Sequence, residues 1–172
     1  QLDKEFDNGS KLESFVCNPS QIANLKTLGL VWGFLKYHHP KVASGDLNWD
    51  YELFRIMPKI ISAKSTSERD AIFTAWITSL GEFKTTSLKE PKDKIKFKPD
   101  LDWITTSNFS NELTTALNKV KTAKRTDNNY YLAFYPYVNN PDFKNEHVTI
   151  KWVDQNYSSD AVAVDGWKYA KL

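Results

Sequence analysis

Three histidines, one cysteine and a scatter of carboxylates are the groups in these 172 residues with which chemistry would be done. His38 and His39 are neighbours, and on a helix neighbours point about 100° apart, so the pair is poorly placed to share one metal. Stabilising a helix C-terminus is their simpler role. His147 stands beside Glu146 in a loop pattern. Asp46, Asp50 and Glu52 lie close in sequence, where helix capping accounts for them more readily than a paired acid–base couple. The runs Thr85-Thr86-Ser87 and Thr105-Thr106-Ser107 offer hydroxyls, but no neighbouring base would deprotonate one. Cys17 is the only cysteine, so it forms no internal disulfide, and it reads as a small buried hydrophobe. The sequence has no Gly-x-Ser-x-Gly elbow, no phosphate-binding glycine loop and no His-Glu-x-x-His pair. The expectation is a stretch with no catalytic residue, no cofactor and no metal.

The aromatic residues are the more distinctive feature, at 14% of the chain. Trp32, Phe34, Tyr37, Trp49, Tyr51 and Phe54 fall mostly at helical spacing, which points to packing between two helices. The alternative is an exposed platform for a peptide or glycan, which would make the chain a stand-alone binding module. Trp32, Tyr37, Trp49 and Tyr51 are therefore the candidate binding or packing residues.

The elements that position these groups follow from the apolar period. Residues 1–19 form a polar lead segment, in which Leu12, Phe15 and Val16 are available to pack. Residues 20–172 read as one mainly helical domain. Ile22, Leu25, Leu28, Trp32 and Leu35 predict a helix capped by Ser20 and stopped by Pro40. Asn48 or Asp50 caps a second, with Trp49, Leu53, Phe54, Met57, Ile60 and Ile61 on its apolar face. Pro58 lies inside it and predicts a kink or a new first turn. Ser67 to Asp70 resembles a capping box for a third helix, which carries Ile72, Phe73, Trp76, Ile77 and Leu80 and ends at Gly81.

Residues 82–100 read as a solvated lysine-rich connector with a short extended piece at Ile95–Phe97. Leu101, Trp103 and Ile104 then give a brief apolar contact. A fourth helix starts near Ser110, with Leu113, Ala116, Leu117 and Val120 inward. Tyr130 to Tyr135 is strand-like and Val148 to Val153 alternates, so the two could pair. Gly166 to Leu172 reads as the opening of a further helix. The predicted architecture is mainly α, with α+β as the variant: a small bundle of about four helices with a short aromatic hairpin or extended element.

Composition excludes several classes. A net charge of +2 gives no strong field for nucleic acid. No stretch supplies the roughly 18 apolar residues of a transmembrane segment. The chain starts at Gln1 rather than Met, and the expectation is that it has been processed, an export signal having been removed.

Leu28-Gly-Leu-Val-Trp-Gly-Phe-Leu-Lys-Tyr-His-His-Pro40, followed by Asn48-Trp-Asp-Tyr-Glu-Leu-Phe54 and Pro58-Lys-Ile60, resembles a segment of a known family. That family is the secreted serine peptidases of the C-terminal-processing (tail-specific, tricorn-core-like) type from Gram-negative bacteria. Ala75-Trp-Ile-Thr-Ser-Leu-Gly81, Pro99-Asp-Leu-Asp-Trp-Ile104 and Asn140-Pro-Asp-Phe-Lys-Asn-Glu146 extend the resemblance, which runs from about residue 22 to the end. It implies a non-catalytic N-terminal accessory domain, cut from a longer chain that is itself a serine-type endopeptidase. The implied roles are shaping substrate access, docking the downstream peptidase core, or mediating assembly. The implied location is extracytoplasmic, in the periplasm or at the outer cell surface, with polypeptide as the substrate of the whole enzyme. The family's serine nucleophile and its lysine or histidine partner lie downstream, so no catalytic residue carries over to this chain.

Overall fold

The computed structural model describes residues 3–87, 99–124 and 130–132, together with the backbone of 148–153 and 156–161. These residues are mainly helical. The elements are α1 (Pro19–His38), α2 (Pro40–Ala43), α3 (Trp49–Ser62), α4 (Thr66–Ser79), α5 (Trp103–Thr106) and α6 (Asn111–Lys121). A 3-10 turn at Tyr130–Leu132 and the strands β1 (Val148–Val153) and β2 (Asn156–Ala161) follow.

Helix starts are decided by short side chains that bind the free N–H groups of the first turn. In α1 that residue is Asn18 rather than the expected Ser20. Its Oδ1 accepts from the Gln21 N–H at 2.9 Å, while Gln21 Oε1 accepts from the Asn18 N–H at 3.0 Å. Pro19 occupies the first turn, where its missing N–H costs nothing. Ser20 loses because it has no glutamine three residues on to complete the box. Of the two caps the sequence offers for α3, Asn48 is the one used, and α6 starts where expected, with Ser110 as its cap. The cap of α4 is Ser65, two residues earlier than expected. Glu68 closes that turn by accepting from the Lys64 N–H at 2.8 Å. Asp70 is thereby released from capping into the helix, where it is buried.

Helix ends are equally local. Pro40 forces His39 into extended backbone (φ −84°, ψ 121°), which terminates α1. After α4, Gly81 takes φ +94°, a conformation that strains any residue with a Cβ. Of the two outcomes expected at Pro58, a kink or a new first turn, the second does not occur, and α3 runs through it to Ser62. Pro58 itself is exposed.

The core is assembled from one face of each long helix. Leu28, Val31, Phe34 and Leu35 of α1 meet Trp49, Ile56 and Ile60 of α3. Phe73, Trp76 and Ile77 of α4 join them, closed by Ile104 of α5 and by Leu113, Leu117 and Val120 of α6. Each such side chain contributes about 1.5–3 kcal/mol when fully removed from water. Within the connector, Thr85 bridges Ala123, with the Thr86 N–H donating to the Thr122 carbonyl at 2.8 Å. The expected extended piece at Ile95–Phe97 lies outside the described residues, as does the terminal helix from Gly166.

Two strand expectations separate here. Val148–Val153 is a strand, but its antiparallel partner is Asn156–Ala161, in a register that sets Val148 opposite Ala161 and Val153 opposite Asn156. Tyr130–Leu132 is a 3-10 turn instead of a strand. Its side chains are held by the loop between α2 and α3: Tyr130 covers Gly45, and the Tyr131 hydroxyl donates to the Leu47 carbonyl at 3.5 Å. Gly45 has φ +79°, and a Cβ there would come within 2.5 Å of the Tyr130 ring. The remainder of the aromatic run, from Ala133 to Tyr135, lies outside the described residues.

The lead segment docks differently from expectation. Phe6 is buried, whereas Phe15 is 47% and Val16 96% exposed. Apolarity does not distinguish these residues. Phe6 differs in being flanked by Glu5 and Asp7, which find partners on α3.

Candidate functional site

Three arrangements bring polar or aromatic groups together. The first joins α1 to α3 through a reciprocal pair. Trp32 Nε1 donates to the Trp49 carbonyl at 3.0 Å, and Trp49 Nε1 donates to the Trp32 carbonyl at 3.1 Å. The Trp49 ring stacks on Trp76 of α4, centroids 5.0 Å apart and planes within 3°. Lys36 sits over both Trp32 (4.6 Å) and Tyr131 (4.7 Å) and reaches Asp50 at 4.0 Å. Burial holds the Tyr131 hydroxyl above its ordinary pKa.

The candidate aromatics therefore occupy different positions. Trp49 is closed off in the core, Trp32 and Tyr37 are half-buried on α1, and Tyr51 is half-buried on α3. Trp32 and Trp49 come together, whereas Tyr51 faces the lead segment. Its hydroxyl donates to Asp7 at 2.5 Å, and that hydrogen bond holds the phenol above its usual pKa.

The second arrangement is that lead segment itself, a strap formed by Asp3 to Asp7. Phe6 inserts between Tyr51 and Phe54, centroids 5.4 and 5.5 Å away, edge to face with both. Arg55 binds Asp3 at 2.5 Å and Glu5 at 2.8 Å, and also Glu52 one turn earlier on its own helix. The Arg55 hydrogen bond holds the Asp3 carboxyl below the usual range, and the three carboxylates raise the Arg55 pKa further. Sequence reading does not find this seat. Arg55 and Asp3 are 52 residues apart, and no local spacing signals their meeting.

The third arrangement is buried. Arg69 donates to Asp70 Oδ1 through Nε at 2.9 Å and Nη2 at 2.7 Å, and Asp70 Oδ2 accepts from the Ser110 N–H at 2.7 Å. The guanidinium also lies over Phe109 at 5.5 Å. One carboxylate thus satisfies an interior cation and anchors the start of α6. It is a structural junction between α4 and α6.

Most of the groups weighed for chemistry that lie among the described residues have partners; Glu146 and His147 lie outside those residues. Lys41 and Ser44 bind Asp46, and their hydrogen bonds hold its carboxyl below the ordinary range. Asp50 meets Lys36 and Glu52 meets Arg55, so each of the three carboxylates serves a different cation. Thr105 and Thr106 both donate to the Asp102 carbonyl. Cys17 is half-buried. Among the described residues no three His, Cys, Asp or Glu side chains converge as a metal site would require. Among them, too, no helix is long and apolar enough to cross a membrane.

His38 stacks on Phe34 at 4.4 Å, while His39 lies fully buried against Phe83 at 4.8 Å. His39 Nδ1 accepts from the Lys41 N–H at 3.3 Å and so caps α2, leaving the ring proton on Nε2, which has no hydrogen-bond partner. Burial pushes this imidazole down to about 4 from 6.5. The unfolded chain then takes up the proton first, so the contribution is complete above 6.5 and is lost as pH falls toward 4. Urea melts across this window should show stability falling by up to about 3 kcal/mol more in the native chain than in His39→Asn. Parallel pH profiles for the two proteins would assign the acid sensitivity to other groups.

No protein-family model, no curated protein and no solved structure matches the chain.

Proposed function

We propose that this chain is the non-catalytic N-terminal domain of an exported serine-type peptidase. It serves the downstream peptidase core of the same polypeptide by docking it, shaping substrate access or mediating assembly. One observation carries the reading: most of the sequence blocks that resemble the peptidase family are the blocks that build the bundle. Leu28 to Pro40 supplies the buried face of α1, and Asn48 to Phe54 with Pro58 to Ile60 supplies the cap, Trp49 and Ile60 of α3. Ala75 to Gly81 contributes Trp76 and Ile77, and Pro99 to Ile104 contributes Ile104. Asn140 to Glu146 lies outside the described residues. A resemblance carried by the segments that supply the core supports the reading of a scaffold, and a scaffold attached to an enzyme acts by placing other parts.

The working location under this reading is extracytoplasmic, and the substrate of the whole enzyme is polypeptide. The test compares this chain with a longer one that includes the reading frame after Leu172. The longer chain should cleave an unfolded protein substrate and become inactive with a serine-directed inhibitor, while the 172-residue chain gives no turnover. Efficient cleavage by the 172 residues alone, or a longer frame with no peptidase core, would overturn it.

A further inference from the structure

We propose that the Asp3–Asp7 strap is exchangeable, and that its seat on α3 accepts the same segment from a second copy to give a strap-swapped dimer. The seat specifies its occupant. Arg55 takes two carboxylates two residues apart, Tyr51 and Phe54 take an aromatic ring, and the Tyr51 hydroxyl takes a third carboxylate. Asp3-Lys-Glu-Phe-Asp7 supplies these groups in that order. Nothing in the seat requires the strap to come from the same molecule.

The strap is also separable from the rest of the fold. Phe6 is buried but lies outside the main core cluster, so the helices keep their packing when it leaves. The tether from Ser10 to Cys17 holds the strap loosely. Its hydrogen bonds, ion pairs and ring contacts are the Leu12 N–H to Ser10 Oγ, and Lys11 against Glu5 (3.8 Å) and the Phe6 ring (5.0 Å), while Leu12 and Cys17 are half-buried. Both Lys11 contacts travel with the strap. Among the described residues, Glu13 to Val16 make no hydrogen bond or ion pair with the helices, and Phe15 and Val16 stand in water. Fully extended, such a tether spans about 25–30 Å, roughly the width of a small domain, so it can reach a neighbour. Two tethers running side by side between copies would give Phe15 and Val16 the partners they lack.

In dilute solution the short tether keeps the strap's own effective concentration high, in the millimolar range, and the closed monomer dominates. Exchange should take over at high concentration or when the tether is too short to close on itself. The experiment is sedimentation equilibrium on the full chain from about 10 µM to about 1 mM. Dimer should appear at the upper end and form at least about tenfold lower in concentration when Glu13 to Phe15 are deleted. Phe6→Ala should abolish it while leaving the far-UV circular dichroism unchanged. Mixing Phe6→Ala with Arg55→Ala, each monomeric alone, should restore a mixed dimer, since an intact strap then meets an intact seat. A shortened-tether chain that stays monomeric at the highest concentration would overturn the proposal. So would a Phe6→Ala chain that dimerises as well as the native one.

Discussion

Trp49→Ala should lower the unfolding free energy by about 3–5 kcal/mol, a large share of what a domain of this size possesses. Trp49 is 1% exposed, and its ring is wedged between α1 and α4. Truncation removes the stack on Trp76, leaves a cavity in the core cluster, and deletes the donor to the Trp32 carbonyl. The backbone acceptor for Trp32 Nε1 survives, so α1 and α3 keep one of two links. Urea unfolding followed by far-UV circular dichroism is the direct check. Trp49→Phe should recover part of the loss by refilling volume without the N–H. If Trp49→Ala melts with the native chain, the stacked rings are peripheral to stability and the core lies elsewhere.

The second large effect is expected at Asp70. Asp70→Ala strands a guanidinium that is 6% exposed and leaves the Ser110 N–H without its acceptor, a combination that should cost about 3–5 kcal/mol. The loss comes from an uncompensated interior charge more than from the bond energy itself. That mechanism makes a second forecast. Arg69→Met combined with Asp70→Asn should be less damaging than Asp70→Ala alone, because no charge remains buried and the amide oxygen can still accept from Ser110. Equal losses for the two proteins, measured by the same melts, would show that neither the stranded charge nor the Ser110 acceptor governs the loss, which would then lie in the Arg69–Asp70 bonds that both variants remove.

The sequence revealed features whose causes are local. Asn48 and Ser110 cap because each precedes an amphipathic run, and Pro40 ends α1 through sterics with its immediate neighbour. The inward faces containing Leu28, Leu35, Ile60 and Leu117 follow from a period of 3.6. Errors arose where a partner far along the chain decides. Asp70 completes an apparent capping box with Ser67, yet its actual acceptor role involves Ser110, 40 residues on. Tyr130 and Tyr131 have strand-forming side chains, but Gly45, Leu47 and Lys36 draw them into a turn. Phe6 and Phe15 are indistinguishable by hydropathy, and the distant Arg55 and Tyr51 separate them. The candidate aromatics were legible as a set but not in their division of labour. A Trp in a stripe gives no hint that its indole nitrogen will bind the other helix's main chain.

That reciprocal bond has a mechanical meaning. Because each tryptophan grips the backbone of the other helix, a slide of α1 along α3 by one residue, about 1.5 Å, would stretch both links at once. A 3.0 Å hydrogen bond does not survive much more than half an ångström of lengthening. The two helices are therefore indexed to one another and move as one beam, and any flexing of this domain has to be taken up where α4 and α6 meet that beam.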